Sequence, residues 1–182
     1  QALTDNGYPE IAYKLLFNQR YPSWLYPVTL GATTIWERWD GIKPDGSFQT
    51  ADMNSFNHYA YGAIGQWLYS TVAGMGFDEE FAGCKRILIK PYLSDNLSFA
   101  KAEFHSVHGL IVSHWERQEN KTKLYVEFPP NTTGLIFLPC SEKDHIYECG
   151  QPVIKAKEIE YKGVQQDRIV FEIGSGKYTF EF

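Results

Sequence analysis

The sequence lacks most of the features that would tie it to a metal, a disulfide framework, a nucleic acid or a bilayer. Its 182 residues hold three cysteines, Cys84, Cys140 and Cys149, and no Cys-x-x-Cys spacing. An odd and scattered set of thiols indicates neither a zinc site nor a disulfide framework. Cys140 and Cys149 are placed to pair across a hairpin if oxidised, but two reduced, partly buried thiols need no special explanation. His105 and His108 straddle Ser106-Val107 and read as the two sides of a hairpin turn; with His114 and His145 they offer no obvious carboxylate partner. No metal and no cofactor are expected. A net charge of −5 without long runs disfavours nucleic acid, which asks for a basic patch, and gives no attraction to an anionic membrane surface. No apolar run approaches the ~20 residues of a membrane span, and no positively charged stretch leads into an apolar one. The first residue is Gln1 and the chain carries no address of its own, so a periplasmic, extracellular or cytoplasmic compartment all stay open. The sequons at Asn96, Asn120 and Asn131 are glycan acceptors only in a eukaryotic secretory context and otherwise turn chemistry.

What is present is apolar and above all aromatic: 43% of the residues are hydrophobic and 16% aromatic, ample for a core. The stretch 31–68 organises the rest. Glu37 stands between Trp36 and Trp39, Asp40-Gly41 and Pro44-Asp45-Gly46-Ser47 are turns, and His58 follows in Asn57-His58-Tyr59. Aromatic faces offer an apolar surface with polar tips to one side of a pyranose, and a single carboxylate among them can act as acid or base. The plainer reading is that the tryptophans are core and the acid a surface group beside them.

In chain order, residues 7–20 read as an amphipathic helix through Ile11, Leu15 and Leu16, with Pro9 tolerated in the first turn and Pro22 ending it. Trp24 and Tyr26 either line a sugar cleft or plug the end of a helical domain. A second helix is expected from Asn54 or Ser55 to about residue 73, carrying Phe56, Ala60, Ala63, Ile64, Trp67 and Leu68 at helical spacing. Its two glycines, Gly62 and Gly65, cost roughly 1 kcal/mol each against alanine, which close helix packing would offset. His58 would then sit in the first turn, where the positive dipole end favours a neutral ring; alternatively it satisfies a backbone carbonyl. Asn57 is a weaker candidate because capping explains it. After Cys84 the period becomes two, and runs at 87–90, 97–104, 110–115, 124–128, 135–138, 169–173 and 178–182 read as short strands of an antiparallel sandwich. The polar tract 141–162 resists assignment. No repeat or low-complexity segment is visible.

The run Ala32-Thr33-Thr34-Ile35-Trp36-Glu37-Arg38-Trp39-Asp40-Gly41, with Ser55-Phe56-Asn57-His58-Tyr59-Ala60, resembles the end of the catalytic domain of the bacterial α-L-rhamnosidases. Ile89-Lys90-Pro91-Tyr92-Leu93, Pro129-Pro130-Asn131-Thr132-Thr133 and Ile173-Gly174-Ser175-Gly176-Lys177-Tyr178 resemble the β-sandwich that follows it. The resemblance implies an α+β multidomain fragment, with helices of an (α/α)6 toroid over residues 1–80 and a jelly-roll-like antiparallel β-sandwich over 84–182. A toroid of about a dozen helices, at roughly 11 to 12 residues each, exceeds this chain, so a C-terminal fragment is expected. The resemblance also implies an inverting glycosidase removing terminal α-L-rhamnose from glycans or glycosides. Glu37 would be its general base, and Trp36, Trp39 and His58 would line the rhamnose pocket. The general acid matches neither Asp5 nor Glu10 nor any other residue here and would come from upstream, so the fragment alone should not turn over. Its partners would be the rhamnose-containing substrate and the upstream part of the same domain, with a homodimer as another way to cover exposed helices. Two other readings remain: a non-catalytic carbohydrate-binding or structural module anchored by Trp115 or Tyr125, and a different toroid glycosidase resembling the glucoamylases.

Overall fold

A computed structural model describes residues 1–140 and 145–182. The chain divides into two compact units, 1–67 and 68–182.

The first unit contains short helices joined by long irregular segments. Helix α1 (Ala2–Asp5) is followed by α2 (Pro9–Leu16), with Pro9 in its first turn. The expected helix over 7–20 is thus shorter. Phe17 closes the last turn on the Tyr13 carbonyl, and the Asn18 side chain then accepts from the Arg20 amide, a local bond that competes with helix continuation. The buried residues of α2 are Pro9 and Tyr13, and Tyr13 stacks on Phe17 at 6.0 Å and meets Trp67 edge-on at 5.1 Å. Trp67 in turn donates its indole N–H to Thr4 at 2.8 Å. Ile11 and Leu15, expected on the packed face, are 45% and 48% exposed. Helix α3 (Leu25–Thr29) buries Tyr26 and Pro27.

The long helix expected over 54–73 is not there. Helical turns begin only with a 3₁₀ turn at Ala60–Ala63 and continue as the single α turn α4 (Ile64–Trp67), and a π turn, Leu68–Val72, opens the second unit. Asn54 and Ser55 do not cap a helix: the Asn54 amide donates to Thr50 and the Ser55 carbonyl accepts from Glu37, so these groups are committed elsewhere before a helix could use them. Gly62 and Gly65 do not mark close packing within this unit either, since a Cβ at either would meet nothing within 4 Å.

The second unit is a two-sheet sandwich. One sheet has the order β1-β2-β6-β10-β9 and the other β3-β4-β5-β11-β7-β8. The first is built from β1 (Met75–Phe77), β2 (Arg86–Ile89), β6 (Thr133–Leu138), β9 (Ile159–Gln165) and β10 (Arg168–Ile173); the second from β3 (Phe99–Ser106), β4 (Gly109–Gln118), β5 (Lys121–Phe128), β7 (Tyr147–Glu148), β8 (Gln151–Pro152) and β11 (Gly176–Glu181). Pairing is antiparallel throughout except β2 with β6, which run parallel, a departure from the expected all-antiparallel pattern. Alternation explains the core: Ile87, Ile89, Ile136, Leu138, Ile169, Phe171 and Ile173 from one sheet face Ile111, Trp115, Leu124, Val126, Phe128 and Phe180 from the other, as period-two patterning requires. The polar tract contains β7, β8 and the start of β9; its residues 141–144 lie outside the described residues. His105 and His108 do flank the turn between β3 and β4. Cys84, Cys140 and Cys149 are free thiols, and burial pushes that of Cys140 up to about 11.

Trp115 is fully buried and donates its indole N–H to the Val72 carbonyl at 2.7 Å, while Ser113 donates to Ala73 at 2.6 Å. Trp115 is therefore core and not a sugar anchor, which corrects that part of the module reading. Tyr125 remains half-buried, its hydroxyl on the Glu127 carboxylate at 2.9 Å.

Gly134 in β6 is set by packing: a Cβ there would lie 2.3 Å from the Phe128 ring and 2.7 Å from the Ile87 carbonyl oxygen. Gly134→Ala should cost about 1–3 kcal/mol in urea unfolding. Gly174→Ala, where a Cβ meets nothing within 4 Å, should stay within about 0.5 kcal/mol. Equal midpoints for the two variants would contradict this packing.

Candidate active site

Glu37 is positioned by main chain. The segments 34–37 and 55–58 run past each other and exchange three hydrogen bonds: Glu37 N–H to the Ser55 carbonyl at 2.9 Å, His58 N–H to the Ile35 carbonyl at 2.7 Å, and the Thr34 hydroxyl to the Phe56 carbonyl. These bring the two halves of the aromatic stretch together although some twenty residues separate them. Beneath them sits a small aromatic core. Trp36 is buried and meets Phe56 edge-on at 5.0 Å, and Phe56 leans on Phe48 at 5.7 Å. Gly41 fits closely under it, a Cβ falling 3.2 Å from the Phe56 ring.

The turn signals in 42–48 are used as chemistry suggests. Ile42 bridges Phe48, the Lys43 amide donates to the Ser47 carbonyl at 2.8 Å, and Gly46 takes a φ of +82° that glycine tolerates. Asp45 accepts from the Ser47 hydroxyl and amide, and these bonds hold its carboxyl below the usual carboxylate value.

Trp39 looks the other way, into a triangle of rings. It stacks on Tyr61 at 5.2 Å and 26°, and lies 5.2 Å from Trp24, which meets Tyr61 edge-on at 5.4 Å. The Trp39 indole nitrogen is buried and has no hydrogen-bond partner. A buried donor without an acceptor costs about 1–3 kcal/mol, so an oxygen supplied from outside this chain would be bound there with gain.

His58 lies two residues before the first helical turn, not inside it, so the dipole argument for its neutral form does not apply. Its Nδ1 instead accepts from the Ala60 amide at 3.3 Å. That bond occupies the Nδ1 lone pair and leaves the proton of a neutral ring on Nε2, as a donor. The ring stacks parallel on Tyr59 at 5.6 Å, and Tyr59 is 90% exposed. Asn57 is exposed and caps no helix. Arg38 points outward and forms no ion pair with Glu37 among the described residues.

Sequence reasoning named Trp36, Glu37, Trp39 and His58; the paired loops carry Trp36, Glu37 and His58, while Trp39 lies two residues beyond Glu37 and joins the ring triangle. Tyr61 was missed and Trp24 was left undecided; the helical spacing assumed for 54–73 hid the Tyr61 ring, whereas two aromatics flanking the same turn of chain was the usable signal. The small space between Glu37, Gly41, Asn54 and Phe56 is too narrow to admit water, although the Glu37 residue itself is only half-buried. The larger cleft of this unit, about 380 Å³, is apolar and lined by Leu3, Leu15, Trp24, Tyr61, Ile64 and Trp67.

The first unit thus carries a half-buried carboxylate, a histidine and a triangle of rings, and the second is a two-sheet sandwich. Residues 1–72 match the bacterial α-L-rhamnosidase six-hairpin glycosidase domain, and residues 76–151 the bacterial α-L-rhamnosidase C-terminal domain. The chain belongs to the bacterial α-L-rhamnosidase family. It is 39% identical over 178 residues to an α-L-rhamnosidase of Streptomyces avermitilis, covering 98% of this chain and 16% of that protein. With one from Formosa agariphila it shares 36% identity over 181 residues, covering 100% of this chain and 19% of the relative. Its fold superposes on the crystal structure of the Streptomyces avermitilis α-L-rhamnosidase complexed with L-rhamnose with a TM-score of 0.88 at 38% identity, covering 99% of this chain and 16% of that one. On α-L-rhamnosidase from Dictyoglumus thermophilum the TM-score is 0.82 at 31% identity, over 98% of this chain and 19% of that one. The chain thus spans less than a fifth of the length of these relatives, and it forms part of a larger domain.

Because Glu37 is held through its amide, Glu37→Gln should leave stability within about 0.5 kcal/mol, whereas Trp36→Ala should cost about 3–5 kcal/mol. Denaturant melts of the two variants check this. A large loss in Glu37→Gln would mean that the carboxylate itself holds the loops.

Proposed function

We propose that this chain is the base-bearing portion of an inverting glycosidase that removes terminal α-L-rhamnose from glycans or glycosides. In this reading residues 1–80 complete the six-hairpin catalytic domain and residues 84–182 form the sandwich that follows. The observation that carries it is the loop pairing, which sets Glu37 beside the segment bearing His58.

Inverting hydrolysis needs two carboxyl groups roughly 6.5–9.5 Å apart, one protonating the leaving oxygen and one activating water on the opposite face of the ring. Glu37 takes the second role. It removes a proton from the attacking water, so it must be ionised, and its half-buried position keeps it within reach of solvent. Trp39, backed by Trp24 and Tyr61, presents ring surface to the apolar side of the sugar, with its unpartnered indole N–H available to a hydroxyl. Trp36 closes the pocket from beneath, and His58 donates from Nε2 to a sugar oxygen. The general acid is supplied by the upstream part of the domain.

The exposed side chains of Ile11, Leu15, Val28 and Leu30, 45–59% accessible, are the surfaces on which that upstream part packs. A homodimer of the chain would cover them instead and would show as a doubled mass in light scattering.

The isolated chain should not hydrolyse p-nitrophenyl α-L-rhamnoside. The full-length enzyme should, and its Glu37→Gln variant should lose about 10²–10⁴ in kcat with little change in KM. Full activity in that variant would reduce Glu37 to a structural role, and turnover by the isolated chain that depends on Glu37 would refute the division of the two carboxyl groups.

A further inference from the structure

Most cations of the sandwich have carboxylate partners. Arg86 pairs with Asp78 and Glu172, Arg117 with Asp95, Lys121 and Lys123 with Glu181, Lys162 with Glu160 and Glu172, and Lys177 with Glu127. Lys90 and Arg168 have no such partner, and neither do Lys85, Lys155 and Lys157 among the described residues, but Lys90 and Arg168 lie close enough together for the charge of one to act on the other. Register places them together: Val170 stands opposite Phe137 in the β10–β6 pair, so Arg168, two residues before Val170, shares the outer face with Phe137, and Lys90 follows the inward Ile89 at the end of β2. The Lys90 ammonium lies 5.5 Å from the centroid of the Phe137 ring and donates to the Gln166 side-chain oxygen at 2.6 Å. The Arg168 guanidinium is 5.9 Å from the centroid of the Tyr92 ring.

Arg168 is 8% exposed, yet what it meets is neutral. Its Nη1 donates to the Pro91 carbonyl at 2.8 Å and to the Phe137 carbonyl at 3.3 Å. No carboxylate pairs with either cation among the described residues. Burial first, and then the nearby Arg168 charge, hold the Lys90 ammonium below its ordinary value. Two like charges brought together in a partly dry site, in a chain whose net charge is −5, are destabilising unless an anion joins them. A guanidinium with donors to spare beside an ammonium is the arrangement that binds an oxyanion by charge-assisted hydrogen bonds.

We propose that Lys90 and Arg168 form a receptor for the carboxylate of an acidic sugar, a uronate, with the Gln166 amide and the Tyr92 ring beside it. The sugar is inferred from membership of a glycosidase family together with the aromatic ring at the site; the anion is inferred from the unpaired cations. The site lies within the sandwich unit and uses none of the residues around Glu37, so it can stand or fall without the catalytic reading.

The test is isothermal titration of the 182-residue chain with methyl β-D-glucuronide, methyl β-D-glucoside and sodium sulfate. The glucuronide should bind with an affinity that weakens as salt is added, the glucoside should not bind, and sulfate should bind more weakly than the glucuronide. Lys90→Gln, at an exposed position, should weaken glucuronide binding by at least about tenfold. Arg168→Lys should do the same, with circular dichroism to verify folding; if that variant unfolds, Lys90→Gln decides alone. Absence of glucuronide binding overturns the proposal and leaves the pair to a carboxylate from another part of the protein. Sulfate binding as tightly as glucuronide reduces the site to a general inorganic-anion site and also overturns it. So does unchanged affinity in Lys90→Gln.

Discussion

The candidate site depends on three hydrogen bonds between two stretches of loop. Residues 34–37 and 55–58 are not strands of any sheet, yet the exchange of Glu37 with Ser55, His58 with Ile35 and Thr34 with Phe56 does for them what a ladder does in a sheet: it fixes register. The base role proposed for Glu37 would need a side chain with a fixed origin, and the Glu37 amide, bonded to the Ser55 carbonyl, supplies one. The cost is that 55–58 cannot be helical, because its carbonyls and amides are spent on the neighbouring loop. Rigidity at Glu37 and irregularity at His58 are one fact seen from two sides.

The sandwich is held by other means. Its core is aliphatic and aromatic alternation between two sheets, and the two buried polar side chains that reach across it, Ser113 and Trp115, are satisfied by the carbonyls of Ala73 and Val72. A buried donor left without a partner would cost more than its bond returns, so the sandwich anchors residues 72–73 as firmly as its own strands.

Much of this was legible in the sequence. Period-two patterning located β2, β3, β4, β5, β6, β10 and β11, whose residues alternate between facing the other sheet and facing away from it, even in β10, where both faces are largely buried. The motif around Trp36, Glu37 and Trp39 carried the family resemblance, and the family is the one to which the chain belongs. What failed was periodicity in the first unit. Residues 54–73 carry apolar groups at helical spacing, but hydrogen bonds to a loop twenty residues earlier outweigh a propensity already weakened by two glycines, and single-segment periodicity does not register a distant competitor. The apolar stripe of α2 misled in the same way: Ile11 and Leu15 are spaced for burial, yet in this chain Tyr13 is the side chain that finds Trp67. Trp115 was misjudged because an aromatic on a strand reads alike whether it faces in or out until the register is known.

The parallel pairing of β2 with β6 also bears on how the chain acquires its structure. Strands β3, β4 and β5 follow one another as hairpins and pair with near neighbours, contacts that form early because little chain entropy is lost in closing them. Strand β2 precedes them all and pairs at once with β1, but finds its second partner only in β6, with Arg86 opposite Thr133 and Ile89 opposite Ile136. During synthesis, therefore, β1 and β2 leave the ribosome first among the strands and yet wait, with one edge open, until the whole β3–β5 meander and β6 have followed. The loops that carry Glu37 emerge earlier still. Even then the sheet that begins at β1 is unfinished, because the other edge of β6 is taken by β10, and β10 in turn pairs with β9.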